Sequence, residues 1–290
     1  MLSCTLTAIE SGSLCRENTG LGNVLFQVSS VLGMALDTNR EFGCFDAEIL
    51  GAKLREWGWD HTNTIFRNIP KQKNKNYSVL NEATEYAQKF DKSIIDIIVA
   101  NSEIPYLLNG YFQSHLYFHH HREKLLEVFA PNNATLQYIK NKYPILFSNS
   151  DTVFVHVRQK YGGTILYRPN YFYKAANLIS TRLKNPQFLI FSDDVEWCKN
   201  NVLIPNAIYV EGNPDYVDLW AMSLCKHGIL SHSTLSWWGA YLNQNPNKIV
   251  YYPEDALRIW WGRCHAKPVH TYRKEIHYLP EWECISCCTI

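Results

Sequence analysis

In the second half of the chain, short apolar runs alternate with stretches of helical spacing. Thr152–Val157 is β-branched and nearly all apolar, as a strand buried on both faces requires. Phe172, Ala175, Ala176 and Ile179 recur at helical spacing and predict a helix over Tyr171–Leu183. Phe188–Phe191, Ala207–Val210, Gly228–Leu230 and Lys248–Tyr251 predict further short strands. Helices are expected between them over Asp194–Asn201, Tyr216–Lys226 and Leu235–Leu242. Such alternation argues for a parallel sheet with helices on both faces.

Polar residues interrupt this pattern at the strand ends. His156 and Arg158 end the first strand, and Ser192, Asp193 and Asp194 follow the second. Glu211, Gly212 and Asn213 follow the third, and Ser231–Ser236 follows the fourth. In open α/β sheets, ligands bind outside the carboxyl ends of the strands. The pattern therefore sends polar groups from several strands to one rim.

The first half is less regular. Thr5–Ile9 is an expected strand, Gly20-Leu-Gly-Asn23 a glycine turn, and Leu25, Val28, Leu32 and Ala35 one face of a helix. A glycine turn opening a helix lets a ligand approach backbone N–H groups. It is not a GxGxxG fingerprint, and it lacks the lysine of a P-loop. Pro144 and Asn149–Asp151 break the pattern, which sets the expected domains at 1–148 and 149–275, with a cysteine-containing tail at 276–290.

Composition narrows the function. With 290 residues, 46% of them hydrophobic, the chain has material for two cores, and disorder as the main state is excluded. Lys+Arg is 28 and Asp+Glu is 27, so nothing supports a nucleic-acid partner. Met1–Glu10 has no basic and apolar leader pattern, and no stretch has the length of a membrane span. The expectation is a soluble, cytoplasmic protein whose 9 cysteines are reduced. Lys71–Tyr77 is polar and basic and is read as an exposed loop.

The clustered chemistry elsewhere is weaker. Cys284 and Cys287, with Cys264 and His265, suggest a zinc site, and Cys287–Ile290 has the length of a prenylation box. Neither pattern is complete, so the tail is expected to be loose. His115, His119, His120 and His121 contain an i, i+4 pair, but no nearby carboxylate completes an HExxH-type motif. No metal site is assigned there, and the alternative is that these imidazoles line a binding cleft. Trp237 and Trp238 are read as helix packing rather than as a sugar platform.

Six collinear segments carry a resemblance. Gly20–Gln27 looks like the GLGNQLFQ opening of glycosyltransferase family 11, the α-1,2-fucosyltransferases. Leu108–Ser114, followed by Tyr117, Phe118 and Phe129, is similar to the family's GYWQS segment. His156-Val-Arg158 matches the start of its HxRRxD motif, and Phe191–Cys198 is similar to FSDDxEW. Asp218–Lys226 and Ser231–Ala240 resemble its last block, ahead of Asn245–Lys248. The chain departs from the family where Gln159 replaces the second arginine of HxRRxD and Tyr161 its aspartate.

The resemblance implies an α/β protein of GT-B type, with two Rossmann-like domains facing across a cleft. It implies inverting transfer of L-fucose from GDP-L-fucose to the 2-hydroxyl of a galactoside, with no metal and no other cofactor. Arg158 and His156 would be the catalytic residues. Gly20, Gly22, Asn23, Ser192, Asp193, Asp194, Ser233, Thr234 and Ser236 would bind the donor. Arg158 supplies a cationic fork for the pyrophosphate, and the helix start near Ser236 supplies N–H groups and a positive dipole end. The motifs do not identify the general base, and Glu17 is considered only for its position near the glycine turn. Family relatives are also membrane proteins, so a peripheral association through the glycan acceptor is a further expectation. The altered HxRRxD block leaves two alternatives: a transferase for another nucleotide sugar, or a non-catalytic protein that binds nucleotide sugar or glycan.

Overall fold

The structure, a computed structural model, describes residues 2–4, 20–45, 61–72, 77–82, 90–161, 164–165, 170–254 and 277–286. The chain divides into two units, residues 1–132 with 273–279 and residues 133–272 with 280–290.

The first unit runs β1 (Leu2–Cys4), α1 (Leu21–Asp37), β2 (Phe42–Phe45), β3 (Lys71–Gln72), β4 (Ser78–Asn81), α2 (Lys92–Ala100) and β5 (Tyr106–Asn109). Single 3-10 turns at His115–Tyr117 and His119–His121 lead into α3 (Arg122–Val128). The strands form one parallel sheet in the order β3-β2-β1-β5-β4. The expected strand Thr5–Ile9 lies outside the described residues. Lys71–Gln72 departs from the expected exposed loop: it pairs with Cys44–Phe45 as an edge strand. Two residues there find free backbone partners on β2, which outweighs their polar character. The rest of that expected loop, 73–76, lies outside the described residues.

Helix α1 is central rather than superficial. Gly20 caps it, and from Leu21 to Ala35 every residue except Asn23 is buried. Its apolar face at Leu25, Val28, Leu32 and Ala35 therefore packs inside. The polar residues Gln27, Ser29 and Ser30 are enclosed with it. Gly33 permits a close approach: a Cβ there would lie 2.1 Å from the Tyr117 carbonyl oxygen and 2.9 Å from Phe118 Cα.

The second unit begins with α4 (Asn133–Lys142), followed by β6 (Thr152–Val157) and the short antiparallel pair β7 (Lys160–Tyr161) and β8 (Thr164–Ile165). Then come α5 (Asn170–Arg182), β9 (Gln187–Ser192), α6 (Val195–Asn201), β10 (Ile208–Val210) and α7 (Asp215–Leu224). The series ends with β11 (His227–Ile229), α8 (Thr234–Leu242), β12 (Val250–Pro253) and β13 (Glu283–Ile285). The large sheet is parallel throughout, in the order β10-β9-β6-β11-β12-β13. Counted within the unit this is 3-2-1-4-5-6, the doubly wound Rossmann order, and its switch point lies between β6 and β11. Every residue of β6 is buried, the polar Thr152 and His156 included.

Two boundaries differ from expectation. The division falls at 132/133 rather than 148/149, because α4 belongs with the second sheet. Lys142 Nζ, at the end of α4, donates to Glu211 O at 2.9 Å and to Asn213 Oδ1 at 2.6 Å. The tail is not wholly loose either. Glu283–Ile285 pairs with Tyr251–Pro253 as the sixth strand, and Ile285 is buried. In that strand Cys284 is exposed, while Cys264, His265 and Cys287 lie outside the described residues.

Candidate active site

The switch point of the second sheet holds a compact polar group. The carboxyl ends of β6 and β11 lie side by side, with Val155 opposite Ile229. His156 is buried in this seam, and its Nδ1 lies 2.7 Å from Ser231 Oγ. Burial, reinforced by the Arg158 cation, pushes His156 down to about 3. The imidazole is therefore neutral at physiological pH, and it serves as a hydrogen-bonding group rather than as a charge.

Beside it, Asp193 organises the end of β6. One carboxylate oxygen accepts the Gln159 backbone N–H at 2.8 Å. The other lies 3.2 Å from Arg158 Nη1. Arg158 remains 38% exposed at its side chain, so its guanidinium is held yet reachable from solvent. Gln159 is 3% exposed, and neither its Oε1 nor its Nε2 has a hydrogen-bond partner. A buried carboxamide without partners carries a desolvation cost of roughly 1–3 kcal/mol per group, which a polar ligand would relieve.

The next loops are more self-contained than the sequence suggested. Ser192 Oγ donates to Val157 O at 2.7 Å and accepts the Asp194 N–H at 2.9 Å. Asp194 caps α6 by accepting the Trp197 N–H at 3.1 Å. Asn213 donates to Tyr143 OH and to Asp218 Oδ1, each at 2.8 Å. Burial raises Asp218 to about 7. The sequence reading missed this Tyr143–Asn213–Asp218 network, since Tyr143 reaches it from the turn before β6.

Helix α8 starts at the same rim. Ser233 is its cap, accepting the Leu235 N–H at 3.3 Å. Thr234 is the first helical residue and is half-buried. Ser236 is fully buried, and its hydroxyl donates to Ser233 O at 3.0 Å. That hydroxyl is engaged within the helix start. Trp237 and Trp238 are buried packing residues, with Trp237 stacked on Tyr241 at 4.9 Å.

The remaining expected donor residues, Gly20, Gly22 and Asn23, lie in the first unit. There the two motif segments of the first half meet. Gln113 Nε2 donates to Asn23 Oδ1 at 2.8 Å, Gln27 Nε2 to Gly110 O at 2.7 Å, and Ser30 Oγ to Phe112 O at 3.0 Å. The turn is supported from β4. Glu82 Oε2 accepts the N–H groups of Tyr111 at 2.8 Å and Phe112 at 3.2 Å. Burial raises Glu82 to about 7, although these N–H groups work against the shift. Gly110 is required here, because a Cβ would lie 2.5 Å from Glu82 Cβ. Phe112 takes a left-handed φ of 49° to complete the turn. Glu17 lies outside the described residues.

Two parallel α/β units, one in doubly wound order with a polar switch point, define a GT-B type architecture of Rossmann-like units. Comparison with known proteins goes further. The sequence profile of glycosyl transferase family 11 matches residues 15–286, and the chain belongs to that family. It is 32% identical to an alpha-1,2-colitosyltransferase of Escherichia coli over 56% of this chain and 57% of that one. It is 24% identical to the Escherichia coli O-antigen biosynthesis glycosyltransferase WbnK, over 84% of this chain and 93% of that one. The chain thus spans little more than half of the first relative and nearly all of the second. Its fold is similar to that of NodZ α-1,6-fucosyltransferase from Bradyrhizobium co-crystallized with GDP. That match has a TM-score of 0.51 at 13% identity, and covers 86% of this chain and 94% of NodZ. Among the described residues, no helix is long and apolar enough to cross a membrane.

Proposed function

We propose that this family 11 glycosyltransferase transfers L-fucose from GDP-L-fucose to the 2-hydroxyl of a galactoside, with inversion. The acceptor oxygen bonds to C1 of the sugar and its proton is released. The bond from C1 to the β-phosphate oxygen breaks, and its electron pair leaves with GDP. Negative charge grows on the pyrophosphate as that bond breaks, and the residues of the β6 rim are suited to receive it. Arg158 offers a planar fork for phosphate oxygens, and neutral His156, held against Ser231, offers a hydrogen bond. The start of α8 at Ser233 and Thr234 adds backbone N–H groups and a positive dipole end. In this reading Asp193 and Asp194 are positioning residues, and the transfer uses no metal ion or other cofactor.

The observation that carries the reading is the Arg158–Asp193–Gln159 arrangement at the switch point, next to His156–Ser231. The test is transfer of radiolabelled fucose from GDP-fucose to a panel of galactosides, with the linkage read by NMR. An α-1,2-linked product is expected. GDP-fucose left intact while another nucleotide sugar is consumed would overturn the donor assignment. Gln159 favours that second reading, since an uncharged carboxamide stands where the motif has an arginine. One relative is named for colitose, so GDP-colitose belongs in the panel.

A further inference from the structure

The carboxylate missing from the histidine run comes from the far end of another element. Asp37 is the last residue of α1, and its Oδ1 lies 2.7 Å from His120 Nε2 and 2.8 Å from His121 Nε2. The three ligand atoms all lie within 4.8 Å of one another. Among the described residues, no other group of three His, Cys, Asp or Glu side chains converges in this way. The two imidazole rings lie 4.2 Å apart at 48°, so both present Nε2 to the same point. His119 and His115 stand apart from this group, ring to ring at 5.7 Å. The i, i+4 spacing visible in the sequence is therefore not the pair that converges.

We propose that Asp37, His120 and His121 form a binding site for a borderline-soft divalent cation, Zn²⁺ in the first instance. Two imidazole nitrogens and one carboxylate oxygen are a zinc donor set, and three protein ligands leave a fourth position for water. Tetrahedral Zn²⁺ with bonds near 2.0–2.1 Å needs ligand atoms about 3.3 Å apart. The two nitrogen-to-oxygen separations, 2.7 and 2.8 Å, are shorter, so the site takes the ion by opening them by about half an ångström. The side chains have room to do so: His120 is 50% exposed, and His121 and Asp37 are 28% exposed. Each imidazole shifts to its Nδ1–H tautomer by proton exchange with solvent, which frees the Nε2 lone pair for the ion.

Such an ion would act as a staple within the first unit. It would tie the C-terminal end of α1 to the segment that follows the Gly110–Ser114 turn. The N-terminal end of α1 is already tied to that turn by Asn23–Gln113 and Gln27–Gly110. Close approach at Gly33 joins the same two segments midway. The ion would complete the series and reinforce the platform on which both motif segments sit. The inference does not rest on the transfer reaction, and the site would not take part in it.

The test uses the full chain without a purification tag. Titration with Co²⁺ should give tetrahedral d–d absorption that Zn²⁺ abolishes, at one equivalent per chain. A hundredfold excess of Zn²⁺ over its Kd should raise the melting temperature by roughly 4–5 °C. Asp37→Asn, His120→Gln and His121→Gln should each lose most of the absorption and of the melting shift, and His115→Gln should lose neither. All of these side chains except His115 are partly exposed, so the variants should fold, and circular dichroism checks this. No absorption with the parent protein, or binding that survives in all the cluster variants, would overturn the proposal. In either of those outcomes the cluster is a hydrogen-bonded group only.

Discussion

Asp193 contacts no substrate atom in the proposed reaction, yet it should control turnover through Arg158. Its carboxylate makes two contacts that can be separated. Asp193→Asn retains an oxygen to accept the Gln159 N–H, now at 2.8 Å, and removes the anion 3.2 Å from Arg158 Nη1. A bare charge pair at that separation is worth several kcal/mol in a partly buried setting. Arg158 is 38% exposed, so solvent screens most of it, and roughly 0.5–1 kcal/mol of positioning energy remains. If that energy holds the guanidinium where leaving-group charge develops, kcat falls about 2–5-fold. Asp193→Ala also orphans the backbone N–H and should cost roughly 2 kcal/mol of loop stability. Arg158→Ala should cut kcat by about a hundredfold or more, and weaken GDP binding much less. The decisive measurement is a double-mutant cycle on kcat with saturating GDP-fucose. In an Arg158→Ala background, Asp193→Asn should have no further effect, because the group that it positions is gone. An equal loss from Asp193→Asn in both backgrounds refutes the positioning argument. An Arg158→Ala enzyme within about twofold of the parent refutes the leaving-group role itself.

Three other perturbations test neighbouring steps. Glu82 sits near 7 in the folded chain and near 4.5 unfolded. A raised carboxyl contributes most below the unfolded value, and its contribution is lost as pH rises through 7. Glu82→Gln should therefore gain on the parent by up to roughly 3 kcal/mol between about pH 4 and pH 8 in urea melts. A difference that does not change with pH rules out burial as the cause. Gln159→Arg places a cation in a 3% exposed position beside Arg158, so the free protein should melt lower. GDP-fucose should then raise its melting temperature more than it raises the parent's, and an equal shift means that position 159 does not meet the donor. Transfer should persist in EDTA and gain nothing from Mg²⁺ or Mn²⁺. Activity lost to EDTA and restored by Mg²⁺ would place a metal in the reaction, which the Zn²⁺ site on α1 does not require.

The second sheet was legible because its strands obey one simple rule. A parallel strand covered on both faces must be largely apolar, and Thr152–Val157, Phe188–Phe191 and Gly228–Leu230 each show it. The polar residues that end these runs then mark the rim. The two-residue β3 and the sixth strand around Cys284 escaped the same reading. Both are edge strands, held mainly by backbone pairing on a neighbour, and their side chains carry no run of apolar residues. The boundary was misplaced for a related reason. Pro144 does break the chain, but a break marks the end of an element and not the unit to which that element packs.

Residue identity and residue use diverge most clearly at the loops. Asp194, Ser192 and Ser236 are residue types suited to a ligand, and in the structure their hydroxyl and carboxylate oxygens satisfy helix caps and strand-end carbonyls. Serine and aspartate have the same reach toward a backbone N–H as toward a phosphate, so sequence does not separate the two uses. What does separate them is a polar group with nothing left to do locally. Gln159 is such a group: its backbone is anchored by Asp193, and its side chain is enclosed without a partner. The same logic applies in the first unit. Asp37 and His120 lie 83 residues apart and have no common motif. Their meeting depends on α1 running the full distance from the Asn23–Gln113 contact, through Gly33, to its last residue. A helix rises about 1.5 Å per residue, so one residue more or less in α1 would also turn the carboxylate by about 100° away from both imidazoles. The length of α1, which no single motif records, is therefore what makes a convergent three-ligand group out of a histidine run and a distant aspartate.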